Sequence, residues 1–253
     1  MMSALVTGAS GGLGRAIAVA LAGAGHDVAV HYRSDPDGAA QTARLVEAAA
    51  PGREAYAVCR DLSVAEPAHL DLVCAELLED VTTRLGPLDV VVLNAFPQDV
   101  TPWSELDTAA WDRMIDGGLR PTAALLRAAP EHLSPGGVIV TIGSIEGLRA
   151  MPGHVAYATT KAALHHLTAA AAHELGPVGL RVVGIAPGII DRPGLADDWP
   201  EGTARWERAT ALGRPVTPEE VAAVVAFVAS PAASALTGVT IPVDAGWSAA
   251  PGW

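Results

Sequence analysis

Short runs of apolar residues alternate along the chain with segments whose apolar residues recur every three or four positions. The runs are rich in β-branched residues and lack the apolar–polar alternation that is typical of a sheet with one solvent-exposed face. They therefore predict strands that are covered on both faces. The predicted strands lie at residues 4–7, 27–32, 55–59, 89–94, 138–143, 181–186 and 239–243, and the predicted helices at residues 12–23, 36–50, 67–85, 108–133, 155–175 and 218–229.

This order of elements predicts a single α/β domain over residues 1–253, a Rossmann-type doubly wound parallel sheet of about seven strands flanked by helices. The helix at 108–133 should bend near Pro121, because proline breaks the hydrogen-bond ladder of a helix. Residues 187–217 have no regular period and are rich in proline, glycine, aspartate and tryptophan. That segment is too long for a passive connector, so we expect a substrate lid with short helices.

Composition narrows the class of protein. Half of the 253 residues are hydrophobic, which suits one large domain. The formal net charge of −12 argues against nucleic acid and anionic membranes as partners. We see neither a membrane span nor a signal peptide. Cys59 and Cys74 match no metal spacing, so we expect buried thiols in a reducing compartment and a cytoplasmic location.

One lysine, Lys161, stands among fifteen arginines, four residues after Tyr157. Residues four apart share a helix face, so this ammonium can stabilise a phenolate and hold a ligand hydroxyl. A free tyrosine titrates near pH ~10, and a neighbouring cation should bring it closer to useful acid–base range. The alternative is a chance pair on a helix surface. The uniqueness of Lys161, the upstream Ser144 and a glycine-rich turn favour the functional interpretation.

That glycine-rich turn follows the first predicted strand, and residues 7–14 read Thr-Gly-Ala-Ser-Gly-Gly-Leu-Gly. Glycines let the backbone pass close to a pyrophosphate, and the N–H groups of the helix start attract the anion. Such turns also occur for packing alone. The place of this one, in the first strand–helix–strand unit, favours a dinucleotide.

The end of the second strand bears on which dinucleotide is bound. An acidic residue there would bind the adenosine ribose and repel a 2′-phosphate. The chain has Arg33 and Ser34 instead, which predict a 2′-phosphate clamp and NADP(H) in preference to NAD(H). The alternative is that Arg33 is a solvated loop charge, and the nearby Asp35 weighs against the clamp.

Together these features resemble the classical short-chain dehydrogenase/reductase family over essentially the whole chain. The matching positions are the turn at residues 7–14, Asp61, Leu62, Leu93, Asn94, Ala95, Ser144, Tyr157, Lys161, Pro187 and Gly188. Each motif is common alone, and their order and spacing make the likeness specific.

The resemblance implies three catalytic residues. Ser144 would hydrogen-bond the substrate oxygen, Tyr157 would exchange a proton with it, and Lys161 would bind the nicotinamide ribose and lower the pKa of the tyrosine. The bound cofactor would transfer hydride. The implied cofactor-binding residues are Gly8, Ser10, Gly11, Gly12, Leu13, Gly14, Arg33, Ser34, Asp61, Leu62, Asn94, Ala95, Tyr157, Lys161, Pro187, Gly188 and Ile190.

Three positions depart from the family pattern. Gly118 stands where the family carries an active-site asparagine, and Asn94 is the only asparagine in the chain. Water or a neighbouring side chain must substitute, or turnover is slow, or the reaction differs. Phe96 replaces a glycine and would either pack on the substrate or fill a gap under the following loop. After Gly188 the usual threonine is missing, and Asp191 or Arg192 falls there.

The loops expected to face the substrate are polar, and the candidate contacts are Phe96, Glu146, His154 and Arg192. They suggest a small hydroxylated or amine-bearing metabolite, such as a sugar-like or cyclitol-like compound. The alternative is that most loop charges face water. We expect no metal site, and we expect His165, His166 and His173 to lie on an exposed or subunit-facing helix surface.

The leading interpretation is an NADPH-dependent ketone reductase or alcohol dehydrogenase, with a place in specialised biosynthesis. The rival is a cofactor-binding sensor or scaffold, or an enzyme that uses the cofactor for dehydration or epimerisation. Ser144 and Tyr157 favour the first, and Gly118 keeps the second open. Fold-level likeness implies a homotetramer or homodimer, and Trp247 and Trp253 look too apolar to remain free in the tail.

Overall fold

The computed structural model describes residues 2–249. Within them, seven strands form one parallel sheet: β1 Met2–Val6, β2 His26–Tyr32, β3 Ala55–Cys59, β4 Leu88–Leu93, β5 Leu133–Ile142, β6 Arg181–Pro187 and β7 Thr240–Val243. Their order across the sheet is β3-β2-β1-β4-β5-β6-β7. The order reverses between β1 and β4, and ligands of such folds bind beyond the carboxyl ends of the strands at that point.

Helices cover both faces of the sheet. They are α1 Gly12–Gly23, α2 Pro36–Ala49, α3 Pro67–Leu85, α4 Thr108–Met114, α5 Arg120–Ala128, α6 Val155–Leu175, α7 Leu195–Asp198, α8 Pro200–Ala209 and α9 Pro218–Ala229. Short 3₁₀ turns lie at Trp103–Glu105, Ala129–His132, Ile145–Gly147, Gly176–Val178, Pro231–Ala233 and Trp247–Ala249. The predicted α/β architecture is confirmed.

Successive strand residues point to opposite faces, and both faces are buried. On β1, Val6 packs in the cluster that contains α1 and α9, whereas Leu5 packs in the one that contains α3 and α5. Cys74 is buried in the second cluster as expected. Cys59 is exposed instead, because it lies at the end of the edge strand β3.

The helix expected at 108–133 is found as a continuous helical stretch over residues 108–132, but its irregularity precedes Pro121. A π-helical turn at Ile115–Leu119 separates α4 from α5, and the chain enters β5 at Leu133. Pro121 is the second residue of α5 and comes directly after that turn. The irregularity instead contains Gly117 and Gly118, and turns of this kind are frequent at functional sites.

The segment at 187–217 contains the two short helices α7 and α8, as expected. Trp206 of α8 is buried and stacks on Trp247, with ring centroids 5.7 Å apart. One face of Trp247 is therefore covered by its own chain, and the residue is half-buried. Trp253 lies outside the described residues. Among the helices of residues 2–249, none combines the length and apolar character needed to cross a bilayer.

Candidate active site

The glycine-rich turn between β1 and α1 lies at the point where the strand order reverses. Gly8 has a φ of +63°, and a Cβ there would come within 2.9 Å of the Ala95 Cα. Asn94, just after β4, donates from Nδ2 to the carbonyl oxygens of Thr7 and Gly8 at 3.0 Å each. The turn is thus fixed in shape by its neighbour across the sheet, which suits the close approach of a phosphate group.

His31 secures the same turn, and sequence reasoning assigned it no role. Its Nδ1 accepts from the Gly8 N–H at 3.1 Å, and its Nε2 contacts the Arg60 carbonyl oxygen at 3.0 Å. These partners assign the neutral tautomer with the proton on Nε2. Burial lowers the pKa of His31 to about 4, which keeps it neutral near pH 7. A histidine near the carboxyl end of a buried strand was the available signal.

A cavity of about 850 Å³ opens beside this turn, a volume typical of ligand sites. Among the predicted cofactor residues it is lined by Gly8, Ser10, Gly11, Leu13, Gly14, Arg33, Ser34, Leu62, Asn94 and Ala95. The lining also includes His31, Tyr32, Asp35, Ser63, Asp99 and Asp116, for which we predicted no cofactor contact. Ser144, Tyr157 and Lys161 do not line it, and Phe96 is the lining residue that touches that group.

Arg33 is exposed at the rim, and within residues 2–249 its guanidinium forms no ion pair. Asp35 caps α2, because its Oδ1 accepts from the Gly38 N–H at 2.9 Å. Asp61 accepts from the Ser63 hydroxyl at 2.6 Å, and this bond lowers the pKa of Asp61 with a smaller contribution from Arg33. Asp35 is therefore engaged by its helix and does not pair with Arg33, but its carboxylate still lines the same cavity.

The three predicted catalytic residues come together behind this cavity. Tyr157 and Lys161 lie on one buried face of α6, with 8% and 2% of their surface exposed. The Lys161 Nζ lies 5.5 Å from the centre of the Tyr157 ring and donates to the Ile142 carbonyl oxygen at 2.7 Å. Ser144 follows β5, and its Oγ accepts from the Glu146 N–H at 3.2 Å.

The expected lowering of the Tyr157 pKa by Lys161 is not found. Burial raises the pKa of Tyr157 above its usual range, the Ser144 hydroxyl opposes this in part, and the Glu146 charge adds to the rise. Burial also lowers the pKa of Lys161 to about 7, although Glu146 opposes it. The sequence-based expectation for the Tyr157 pKa included the charge of Lys161 but not the desolvation of the two side chains.

Phe96 occupies the space beside Gly118. A Cβ at Gly118 would lie 2.5 Å from the Phe96 Cζ. The ring centre lies 3.6 Å from the Lys161 Nζ and 6.0 Å from the Tyr157 ring centre, edge to face. The gap that the ring fills is the one left by the absent side chain at 118, not the expected one under the following loop, and the ring also lines the cavity.

The substrate candidates separate into two groups. Glu146 and His154 form a half-buried pair, with 2.7 Å between Oε2 and Nδ1, and the His154 ring lies 6.3 Å from that of Tyr157. Burial raises the pKa of Glu146, against the charges of His154 and Lys161. Arg192 is exposed and pairs with Asp198 at 2.6 Å, so it does not join Tyr157.

The remaining predicted cofactor residues follow β6. The Gly188 N–H donates to the Val243 carbonyl oxygen at 2.9 Å, and a Cβ there would come within 2.8 Å of Trp206. Ile190 forms an isolated bridge with Val216. Pro187 ends β6 beside β5, so this turn lies at the same edge of the sheet as Ser144.

The expectation of an exposed helix surface is correct for His166 and His173 and wrong for His165. The Nε2 of His165 accepts from the Ser144 N–H at 3.4 Å, and its Nδ1 is buried without a hydrogen-bond partner. Burial lowers the pKa of His165 to about 4, with a contribution from Lys161. Among the described residues, no cluster of histidine, cysteine or acidic side chains is arranged to hold a metal ion.

A doubly wound sheet with a glycine turn at its reversal point defines a nucleotide-binding protein of the Rossmann type. Residues 8–248 match the family model described as enoyl-(acyl carrier protein) reductase. The chain is 36% identical to 3beta-hydroxysteroid dehydrogenase 1 of Eggerthella lenta, with 98% of this chain and 94% of that protein covered. It is also 36% identical to cis-4-hydroxycyclohexanecarboxylate dehydrogenase of Sinomonas cyclohexanicum, with 97% and 96% covered.

A solved structure gives the same result. A short-chain dehydrogenase from Burkholderia cenocepacia in complex with NADP superposes with a TM-score of 0.88, at 31% identity and with 98% of each chain covered. The chain belongs to the short-chain dehydrogenase/reductase family and is an oxidoreductase of the class that acts on CH–OH and C=O groups.

Proposed function

We propose that the protein interconverts a ketone and a secondary alcohol of a small polar metabolite, with NADP(H) as cofactor. The observation that carries this is the buried group of Ser144, Tyr157 and Lys161 next to a dinucleotide-sized cavity. Geometry of this kind suits proton transfer to a carbonyl oxygen, because a phenol and a hydroxyl converge where water is largely excluded.

The residues present fit a dinucleotide. The Gly8–Gly14 turn and the start of α1 would hold the pyrophosphate, Arg33 and Ser34 the adenosine end, and the turn at Gly188 the nicotinamide end. When bound, the nicotinamide supplies or accepts the hydride. Ser144 would orient the carbonyl oxygen, and Tyr157 would donate its phenolic proton to that oxygen. Lys161 would stabilise the phenolate that remains.

Arg33 supports the choice of NADP(H), and the solved relative with NADP bound agrees with it. Arg33→Ala should raise the Kd for NADPH by about 10- to 100-fold, the value of a hydrogen bond to a charged group, and leave the Kd for NADH within about twofold. Fluorescence titration of both cofactors measures this. Arg44→Ala, which removes an exposed arginine on α2 away from the cavity, is the matched control. A wild-type protein that binds NADH more tightly than NADPH would overturn the choice.

The substrate class follows from the polar pair beside Tyr157. Glu146 and His154 can accept and donate hydrogen bonds to a substrate hydroxyl or amine, and a site built around such bonds discriminates against analogues that lack them. The named substrate of the Sinomonas relative, a hydroxylated cyclohexane acid, has this character. With NADPH, kcat/KM should be at least about tenfold higher for a hydroxycyclohexanone than for cyclohexanone. Equal values, or a preference for cyclohexanone, would remove the polar class.

Cytoplasmic location, a role in specialised biosynthesis and a homotetrameric or homodimeric assembly complete the proposal. The net charge of −12 supports a partner set without nucleic acid or anionic membrane. Exposed apolar side chains such as Val178, Phe227 and Val239 are available for contacts between subunits.

A further inference from the structure

The lone ammonium of the chain lies on the face of an aromatic ring. The Lys161 Nζ is 3.6 Å from the centre of the Phe96 ring, well inside the ~6 Å over which a ring attracts a cation. The same ammonium donates to the Ile142 carbonyl oxygen at 2.7 Å. Lys161 is held between a strand end on one side and an aromatic face on the other.

The Phe96 ring fits against Gly118 only because that residue has no side chain. The Phe96 Cζ, Cε1 and Cε2 would lie 2.5–2.6 Å from a Cβ at Gly118, so any side chain there would displace the ring. A Cβ at Gly117 would meet the Pro97 Cγ at 3.1 Å. Both glycines belong to the π-helical turn. The Thr122 hydroxyl donates a hydrogen bond to the Gly118 carbonyl oxygen at 2.7 Å. The π-helical turn therefore packs closely against Phe96 and Pro97, which follow β4.

The charge needs such a partner because Lys161 is almost fully buried. Burying an ammonium is costly unless hydrogen bonds or opposite charges compensate. The groups that act on it are Glu146, Tyr157 and His165, and Glu146 is shared with His154. On the packed π-helical turn, Asp116 pairs with Arg120. The ring face is thus one of the groups placed to stabilise the charged form, beside the Glu146 charge and the Ile142 carbonyl oxygen.

We propose that Phe96 is a positioning residue that holds the Lys161 ammonium in place and charged, and that Gly118 is small so that the ring can take this position. The inference rests on the proposed function only for the use that Tyr157 makes of the ammonium. Its predicted consequence is local, since Phe96 touches Lys161 directly whether or not turnover is measured.

A single lysine makes the test direct. Protein made with isotope-labelled lysine should give one side-chain NMR signal, and no cofactor or substrate is needed. Its ε-methylene protons should be shifted upfield from those of free lysine, because the ring current of Phe96 shields them. In Phe96→Leu this shift should vanish and the titration midpoint of Lys161 should fall by about one pH unit. The alkaline limb of the kcat profile should move down in pH by the same amount, since loss of the ammonium proton then occurs earlier.

Met114→Leu is the matched control, because Met114 is buried in the same cluster as Tyr157 and Phe96 and the exchange keeps its volume. It should leave the lysine signal and its midpoint unchanged. Wild-type ε-protons at the free-lysine position would overturn the proposal, even if Phe96→Leu failed to fold. Equal midpoints in wild type and Phe96→Leu would also overturn it. Neither result bears on whether Tyr157 transfers a proton, which its own variant tests.

Discussion

Tyr157→Phe should lower kcat/KM for ketone reduction by about a hundred- to ten-thousand-fold, the usual contribution of a positioned general acid. In the proposed mechanism the phenol donates its proton to a carbonyl oxygen held by Ser144, and the variant removes only its hydroxyl. The Kd for NADPH should change by less than about twofold, because the cavity beside the glycine turn does not include Tyr157. Steady-state kinetics and a fluorescence titration measure the two quantities.

The variant should also stay folded. The Tyr157 ring packs with Phe96 and Met114, and phenylalanine preserves those contacts. An unchanged melting temperature is therefore the control that assigns the loss to chemistry. Turnover within about threefold of the wild type would take Tyr157 out of the mechanism.

Gly118→Ala should lower the free energy of unfolding by about 1–3 kcal/mol, the range for overpacking. The direction of this change in the free energy of unfolding is what distinguishes Gly118 from an ordinary helical glycine. Alanine for glycine in a helical segment normally stabilises by up to about 1 kcal/mol. At this position the added Cβ would lie 2.5 Å from the Phe96 ring, which cannot move without leaving Lys161. Asparagine carries the same Cβ, so the family's usual residue should be harmful here as well.

Further variants isolate the cause. Gly23→Ala, at the last residue of α1 with open space around it, should be neutral or stabilising. In the Phe96→Ala background the ring is gone, so Gly118→Ala should no longer destabilise, and the double-mutant cycle should show coupling of about 1–3 kcal/mol. Denaturant unfolding measures the wild type and each of these variants. A cycle without coupling would show that the ring and the glycine are independent.

The fold was largely predictable because its strands are buried on both faces. Runs of branched residues without alternation occur where helices cover a sheet on each side, and the helix bounds at 12–23, 67–85 and 155–175 agree with the structure. The π-helical turn at Ile115–Leu119 was missed. Pro121 is the stronger local signal for a bend, but it comes directly after that turn.

The candidate site was predictable in its residues and less so in its electrostatics. The spacing of Tyr157 and Lys161 placed both on one face, as found. Their pKa values depend on burial, and a single sequence does not show how far solvent is excluded from one face of a helix. The same gap explains His165, whose contact with Ser144 is made across the fold.

Phe96 and Gly118 show why isolated departures from a pattern are hard to interpret. Along the sequence they are two unrelated oddities in different elements. In space the ring of one fills the place of the side chain missing from the other, and both adjoin Lys161. Compensation between distant positions appears only once the strand end and the π-helical turn are placed side by side.

The most direct test of the central claim is the transfer of deuterium from NADPH labelled with deuterium at the transferable position of the nicotinamide to hydroxycyclohexanone. Mass spectrometry of the alcohol formed measures it. We predict one deuterium on the carbinol carbon with the wild-type protein, and at least about a hundredfold less labelled alcohol in the same time with Tyr157→Phe, although that variant still binds NADPH. Unlabelled product, or equal labelling by both proteins, would contradict a ketone reduction in which Tyr157 supplies the proton.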